Sequence, residues 1–168
     1  RQVKGHGVSL GMASIVDKSG VSVGLIDSEV RGSGLAYGTS RSTVEKEGVA
    51  LSFYEADVFG NGLAVGSVSR VGKSGKAFGL VKSKVERDGL SVGGLSEVGG
   101  NGASAGLFSV VDGSGVSIGG LYSHLTGRGV QIGLLTSNPN KTLLTGRVLP
   151  FMNVQTDIRD KDFMSRSR

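Results

Sequence analysis

The chain has 168 residues, enough for one domain of ordinary size; 30 are glycine, two are proline, and cysteine and tryptophan are absent. That glycine share is roughly two and a half times the usual one, but it lacks the every-third-residue period of collagen. An apolar content of 38% is too high for a disordered linker, so a folded, glycine-rich chain is expected. The formal charge of +5 permits an acidic partner, but Lys and Arg are scattered, so no nucleic-acid partner is expected. Without cysteine there are no disulfides and no thiolate metal sites, which leaves the redox compartment open. No apolar run approaches the roughly 18 to 20 residues of a membrane span, and the start shows no signal-peptide pattern. The first residue is Arg1, which fits a processed or excised piece.

After a lead-in over residues 1–6, the chain repeats itself. Units open at Gly7, Gly20, Gly34, Gly48, Gly62, Gly75, Gly89, Gly102, Gly115 and Gly129, always 13 or 14 residues apart, and the tenth begins and then departs. Each reads glycine, apolar, Ser or Ala, apolar, glycine, a variable turn, Ser or Ala, any residue, Val, and three turn residues, as in Gly20 to Ser33. The three-residue turn after the valine is constant in length. The other turn is not: Gly11 and Ser14 are separated by two residues, Gly24 and Ser28 by three.

Inside each unit the apolar residues alternate with period two, as in Val8-Ser9-Leu10 and Val21-Ser22-Val23, and a terminal apolar residue recurs from Val16 and Val30 to Leu125. Alternation of this kind is strand periodicity. Two strands this short cannot bury their side chains alone, but stacked coils spaced about 4.8 Å apart can. The fold class read from this is all-β, a single parallel β-solenoid or β-roll of about ten 13–14-residue coils spanning residues 7–137. An antiparallel meander or barrel competes, but one fixed and one tolerant corner suit it less, and such strands are short for a barrel. The valine ladder is expected to pack against the apolar flanks of the first strand. Residues between Ser and Val, among them Glu29, Asp57, Arg70, Lys84, Glu97 and His124, should face water, with Asp57 beside Arg70 and Lys84 beside Glu97.

Past the repeats, residues 138–154 carry an apolar stretch, Leu143 to Met152, with Pro150, which suits a cap over the last coil. Residues 155–168 read as a charged tail. The endings Gly129-Val130-Gln131-Ile132-Gly133-Leu134-Leu135 and Leu149-Pro150-Phe151-Met152-Asn153 resemble those of bacterial surface-repeat proteins of the leptospiral type. Units such as Gly20-Val21-Ser22-Val23-Gly24 are similar to the head repeats of trimeric autotransporter adhesins, which form left-handed parallel β-rolls. These resemblances imply display at a cell surface, outside the cell or on a virion, or assembly there. They carry no catalytic residue. Tyr37, Phe53, Tyr54 and Phe78 are bulkier than adhesin heads usually show, and the neck and stalk are missing.

Chemical motifs fail when tested. The histidines, His6 and His124, have no partners for acid–base work. Gly72-Lys73-Ser74 resembles the end of a phosphate loop, but Ser67 stands where the loop needs glycine. Asp17 and Asp112 are isolated, unlike the aspartates of calcium-binding solenoids. Asn140-Lys141-Thr142 is a glycosylation sequon. No catalytic residue, cofactor or metal is expected, and the chain is read as a non-enzyme.

The candidate site is instead a face. If the flanking apolar residues point inward, Ser9, Ser22, Ala36, Ala50, Ala64, Ala77, Ser91, Ser104, Ser117 and Gln131 form a flat, small, uncharged outward ladder fit for close approach by another chain. The same row fits an interior position equally well. Repeated threonine rows, the usual ice-binding chemistry, are missing. The function expected is a structural, self-assembling surface module whose partner is itself or a larger surface assembly. The alternatives are an adhesin or ligand-binding module using Arg70, Lys84, Phe53, Tyr54, Phe108 and Tyr122, or a phage or viral shell or fibre component.

Overall fold

A computed structural model describes residues 1–137 in full and residues 148–155 as backbone. It is all-β. Strand β1 (Gln2–Val3) is followed by the coils: β2 (Gly7–Val16), β3 (Gly20–Val30), β4 (Gly34–Gly38) with β5 (Arg41–Val44), and β6 (Gly48–Leu51) with β7 (Glu55–Val58). Then come β8 (Gly62–Val71), β9 (Gly75–Val85), β10 (Gly89–Val98), β11 (Gly102–Val111), β12 (Gly115–Leu125), β13 (Gly129–Ser137) and β14 (Val148–Gln155). Strands β1 to β13 pair in parallel, coil upon coil, which makes a β-solenoid of about ten turns and removes the antiparallel meander. Coils are numbered 1 to 10 here by their opening glycines, Gly7 to Gly129. In each, the segment after the opening glycine is the first wall, and the Ser-x-Val segment is the second.

Register follows the repeat. Opening glycines stack on one another, as in Gly7↔Gly20 and Gly102↔Gly115, and second-wall valines stack likewise, as in Val16↔Val30 and Val98↔Val111. Length differences at the variable corner are absorbed as bulges, for example between Gly11 and Ala13 and between Gly93 and Leu95. The opening position needs glycine for two reasons, seen at Gly115. Its φ is 147°, and a Cβ there would overlap the backbone carbonyl oxygen of Gly102 below it. The fixed corner carries a second ladder. Asp88 Oδ1 accepts from the Asn101 amide (2.6 Å), Asn101 Oδ1 from the Ser114 amide (2.8 Å), and Ser114 Oγ from the Arg128 amide (3.0 Å).

The core corrects one expectation. Ser9, Ser22, Ala36, Ala50, Ala64, Ala77, Ser91, Ser104, Ser117 and Gln131 are all buried, at 0–1% exposure, so this row is interior and not an outward interface. It faces the second-wall serines and valines. The apolar flanks, expected inside, point out: Val8 is 61% and Leu10 58% exposed. The physical reason is width. The walls stand so close that Ser22 Oγ donates to the Ser14 carbonyl (2.8 Å) and Ser28 Oγ to the Ser22 carbonyl (2.7 Å). Through coils 1 to 9 the first-wall row between them holds only serine and alanine, while the space beside the fixed corner takes one valine per coil, with Leu125 in coil 9.

Most buried hydroxyls are satisfied along the rod, as burial of a polar group demands, whereas Ser14 Oγ in coil 1 and Ser52 Oγ in coil 4 are buried without a hydrogen-bond partner. Ser104 Oγ donates to Ser96, Ser109 Oγ to the Ser104 carbonyl (2.9 Å), and Ser123 Oγ to the Ser117 carbonyl (2.8 Å). Where the first wall has alanine, the second-wall serine turns to the next coil: Ser42 Oγ donates to the Leu51 carbonyl (2.5 Å) and Ser69 Oγ to that of Phe78 (2.6 Å). In coil 10 the larger Gln131 ends the row, its Nε2 donating to the Leu125 and Ser137 carbonyls at 3.2 and 2.8 Å. The stacked Val16, Val30, Val44, Val58, Val71, Val85, Val98, Val111 and Leu125 are all at most 1% exposed. Each contributes on the order of 1.5–3 kcal/mol by burial.

At the ends, β1 lies beside the second wall of coil 1 (Gln2↔Ile15, Val3↔Val16), and β14 runs antiparallel to β13, from Gly129↔Gln155 to Ser137↔Val148. The antiparallel strand breaks the parallel series at the edge of coil 10. The rest of the expected cap, residues 138–147, the sequon at Asn140, and residues 156–168 of the expected tail lie outside the described residues.

Candidate association interface

The outward side of the first wall is built from two columns. One follows each opening glycine (Val8, Val21, Leu35, Val49, Leu63, Lys76, Leu90, Ala103, Val116, Val130). The other lies two residues on (Leu10, Val23, Tyr37, Leu51, Val65, Phe78, Val92, Ala105, Ile118, Ile132). The strand pleat sends both columns away from the buried Ser/Ala row, and parallel register stacks like on like, as in Val21↔Leu35 and Val92↔Ala105. Lys76 is the one charged residue in the two columns. The variable corner continues the apolar surface with Met12, Leu25, Ile26, Phe53, Tyr54, Leu80, Val81, Leu107 and Leu121, of which Leu80 is 84% exposed.

This surface is not flat. Around coils 5 to 8 the corner residues Gly66, Gly93, Gly94 and Gly106 leave a groove of about 480 Å³, bordered by Val65, Phe78, Leu80, Val92 and Ala105. Coils 3 and 4 carry the opposite relief, with Tyr37 on the wall and the exposed Phe53 and Tyr54 at the corner.

The second wall differs in kind. Its outward positions hold Glu29, Asp57, Arg70, Lys84 and Glu97, and ion pairs cross the coils: Arg41–Glu55 (2.7 Å), Lys84–Glu97 (2.8 Å), Arg31–Asp17 (3.1 Å) and Arg70–Glu86. The expected Lys84–Glu97 neighbours do pair. Asp57 and Arg70 sit side by side in register, but the guanidinium of Arg70 is held by Glu86, one coil further on and at the fixed corner. Asp57 is therefore left with indirect support. Burial pushes its carboxyl above the ordinary value, Glu55 pushes it the same way, and Arg70 and Arg41 oppose them.

His124 lies on the outward second wall, stacked on Tyr122 at 6.3 Å between ring centroids, with Tyr122 Oη 3.4 Å from Nδ1. Gly72-Lys73-Ser74 forms a fixed corner between β8 and β9, with no helix to present amides to a phosphate. Of the residues weighed for a ligand site, Arg70 and Lys84 are engaged by Glu86 and Glu97, whereas Phe53 and Tyr54 stand exposed. No cluster of three or more metal-ligating side chains occurs among the described residues, and no described helix is long and apolar enough to cross a membrane.

The outward facing of these columns was not legible in the sequence, because period two fixes alternation but not which half faces in. A signal was present. The flank positions range from Ala103 to Tyr37 and include Lys76, whereas the ladder positions are Ser or Ala until Gln131. A stacked interior demands constant volume; a surface does not.

Comparison with known proteins finds no matching family model, no matching curated protein and no matching solved structure.

Proposed function

We propose that this chain is a non-enzymatic structural module, a rigid rod that associates through the apolar first-wall face, working at a cell surface, outside the cell or on a virion. The observation that carries this reading is the distribution of polarity around the rod. One side holds two apolar columns ten coils long with a single lysine, and the other carries the charges and their ion pairs. Taking the rod as about 45 Å long and the wall as about 16 Å wide, the face measures roughly 700 Å², above the few hundred Å² of most apolar patches on solitary proteins. A surface rich in apolar residues and poor in charge is what an interface core requires.

The test is to charge the face without touching the core. Leu63→Lys and Leu90→Lys flank Lys76 in the same column, where Lys76 shows that the solenoid accommodates a lysine. Sedimentation equilibrium should give an assembly for the native chain and a chain-length monomer for the double variant, with the β-type circular dichroism kept. A native chain that sediments as a monomer at the highest soluble concentration contradicts the reading.

A further inference from the structure

We propose, resting on the self-association reading above, that the occupant of the first-wall face is a second copy of this chain turned end for end, so that coil n of one copy faces coil 11−n of the other. The two-fold axis then lies in the interface, parallel to the strands and between coils 5 and 6. Like columns face one another, and the rod ends oppose.

The relief of the face selects this arrangement. Tyr37, in coil 3, comes opposite Ala105 in coil 8, and Leu35 comes opposite Ala103. Coil 4, with Phe53 and Tyr54 at its corner, comes opposite coil 7, whose corner is Gly93-Gly94 beside the 480 Å³ groove. Large therefore meets small at both symmetry-related places. At the centre, Phe78 of each copy meets Val65 of the other. Lys76, opposite Leu63, falls in the column nearer the fixed corner, where its stem can lie along the face and its ammonium reach water.

The alternative two-fold, with rods side by side in the same direction, sets coil n against coil n and crosses the columns. It places Tyr37 against Leu35 and Phe78 against Lys76, large on large and ring on the only charge, and leaves the groove unfilled. The end-for-end pair buries about 1,400 Å² in total if the whole face is covered, within the standard range for a stable specific interface.

Because the chain has no cysteine, each engineered thiol is unique. Chains carrying Tyr37→Cys and chains carrying Ala105→Cys are mixed and treated with a short bismaleimide. The expected result is a covalent dimer in the mixture at least tenfold above either chain alone, because like thiols then lie five coils, about 24 Å, apart. Since removing Tyr37 also removes a contact, Leu10→Cys mixed with Ile132→Cys repeats the test at coils 1 and 10 and should give the same preference. Self-crosslinking of Tyr37→Cys alone overturns the end-for-end arrangement while leaving association intact. A native chain that stays monomeric in sedimentation, whether or not it floats with phosphatidylcholine vesicles or captures another protein, overturns the second copy as occupant.

Discussion

Asp57 shows how much a single position on the charged wall is worth. Its carboxyl is half-buried, its neighbour in register, Arg70, is taken by Glu86, and its pKa is raised by burial first and Glu55 second. A raised carboxyl pKa means that the folded state favours the neutral acid. The stability this contributes is present below the ordinary value of 3.8 and is lost as pH rises through the higher folded value. Asp57→Asn is therefore expected to raise the unfolding free energy at neutral pH, measured by urea titration, by about a few tenths of a kcal/mol once solvent screening is allowed for. The gap from the native chain should close as pH falls below the carboxylate range. A variant less stable than the native chain at neutral pH would show that Arg70 and Arg41 outweigh the burial of the carboxylate.

At the scale of the coil, the two corners have different jobs. The fixed corner carries the Asp88–Asn101–Ser114 amide ladder and delivers each opening glycine onto the one below. The variable corner accepts two or three residues with only a bulge. Deleting Tyr54, which gives coil 4 the corner length of coil 5, should cost about 1 kcal/mol or less. Inserting a glycine between Gly100 and Asn101 should cost several kcal/mol, because it moves Asn101 off the Asp88 carboxylate and breaks the register between coils 7 and 8. Urea midpoints of the two variants compare them directly, and equal midpoints would contradict this division of labour.

This scale was also the most legible in the sequence. The opening glycines, the constant turn after Val30 or Val44, and the variable turn after Gly24 are all local, and they map one to one onto the coils. Facing was less legible, because Ser22 between Val21 and Val23 reads identically whether the pair or the serine is inside. The hydrophobic expectation puts the pair inside. It fails here because the interior is narrow and because the hydroxyls bond across it, as Ser28 does to Ser22. The partner of Arg70 was illegible for another reason: Glu86 belongs to the next coil's fixed corner, and only the corner's path brings it into reach.

For the whole molecule, the consequence is a rod with an unusual distribution: a polar, hydroxyl-lined core flanked by valines, one charged wall, and one apolar wall turned outward. Such a rod is stable along its axis because every internal strand is paired on both sides. The proposed association covers the apolar wall, which the rod alone leaves outward. Association through this face requires the flank row of the first wall to point out, and circular dichroism of two single variants tests that facing. Ala50→Lys puts an ammonium into the closed Ser/Ala row and should abolish the β spectrum or lower the melting temperature by tens of degrees. Leu63→Lys, in the adjacent coil and on the outward column, should keep both. If Ala50→Lys instead melts like the native chain while Leu63→Lys unfolds, the first wall faces the other way and the association face does not exist.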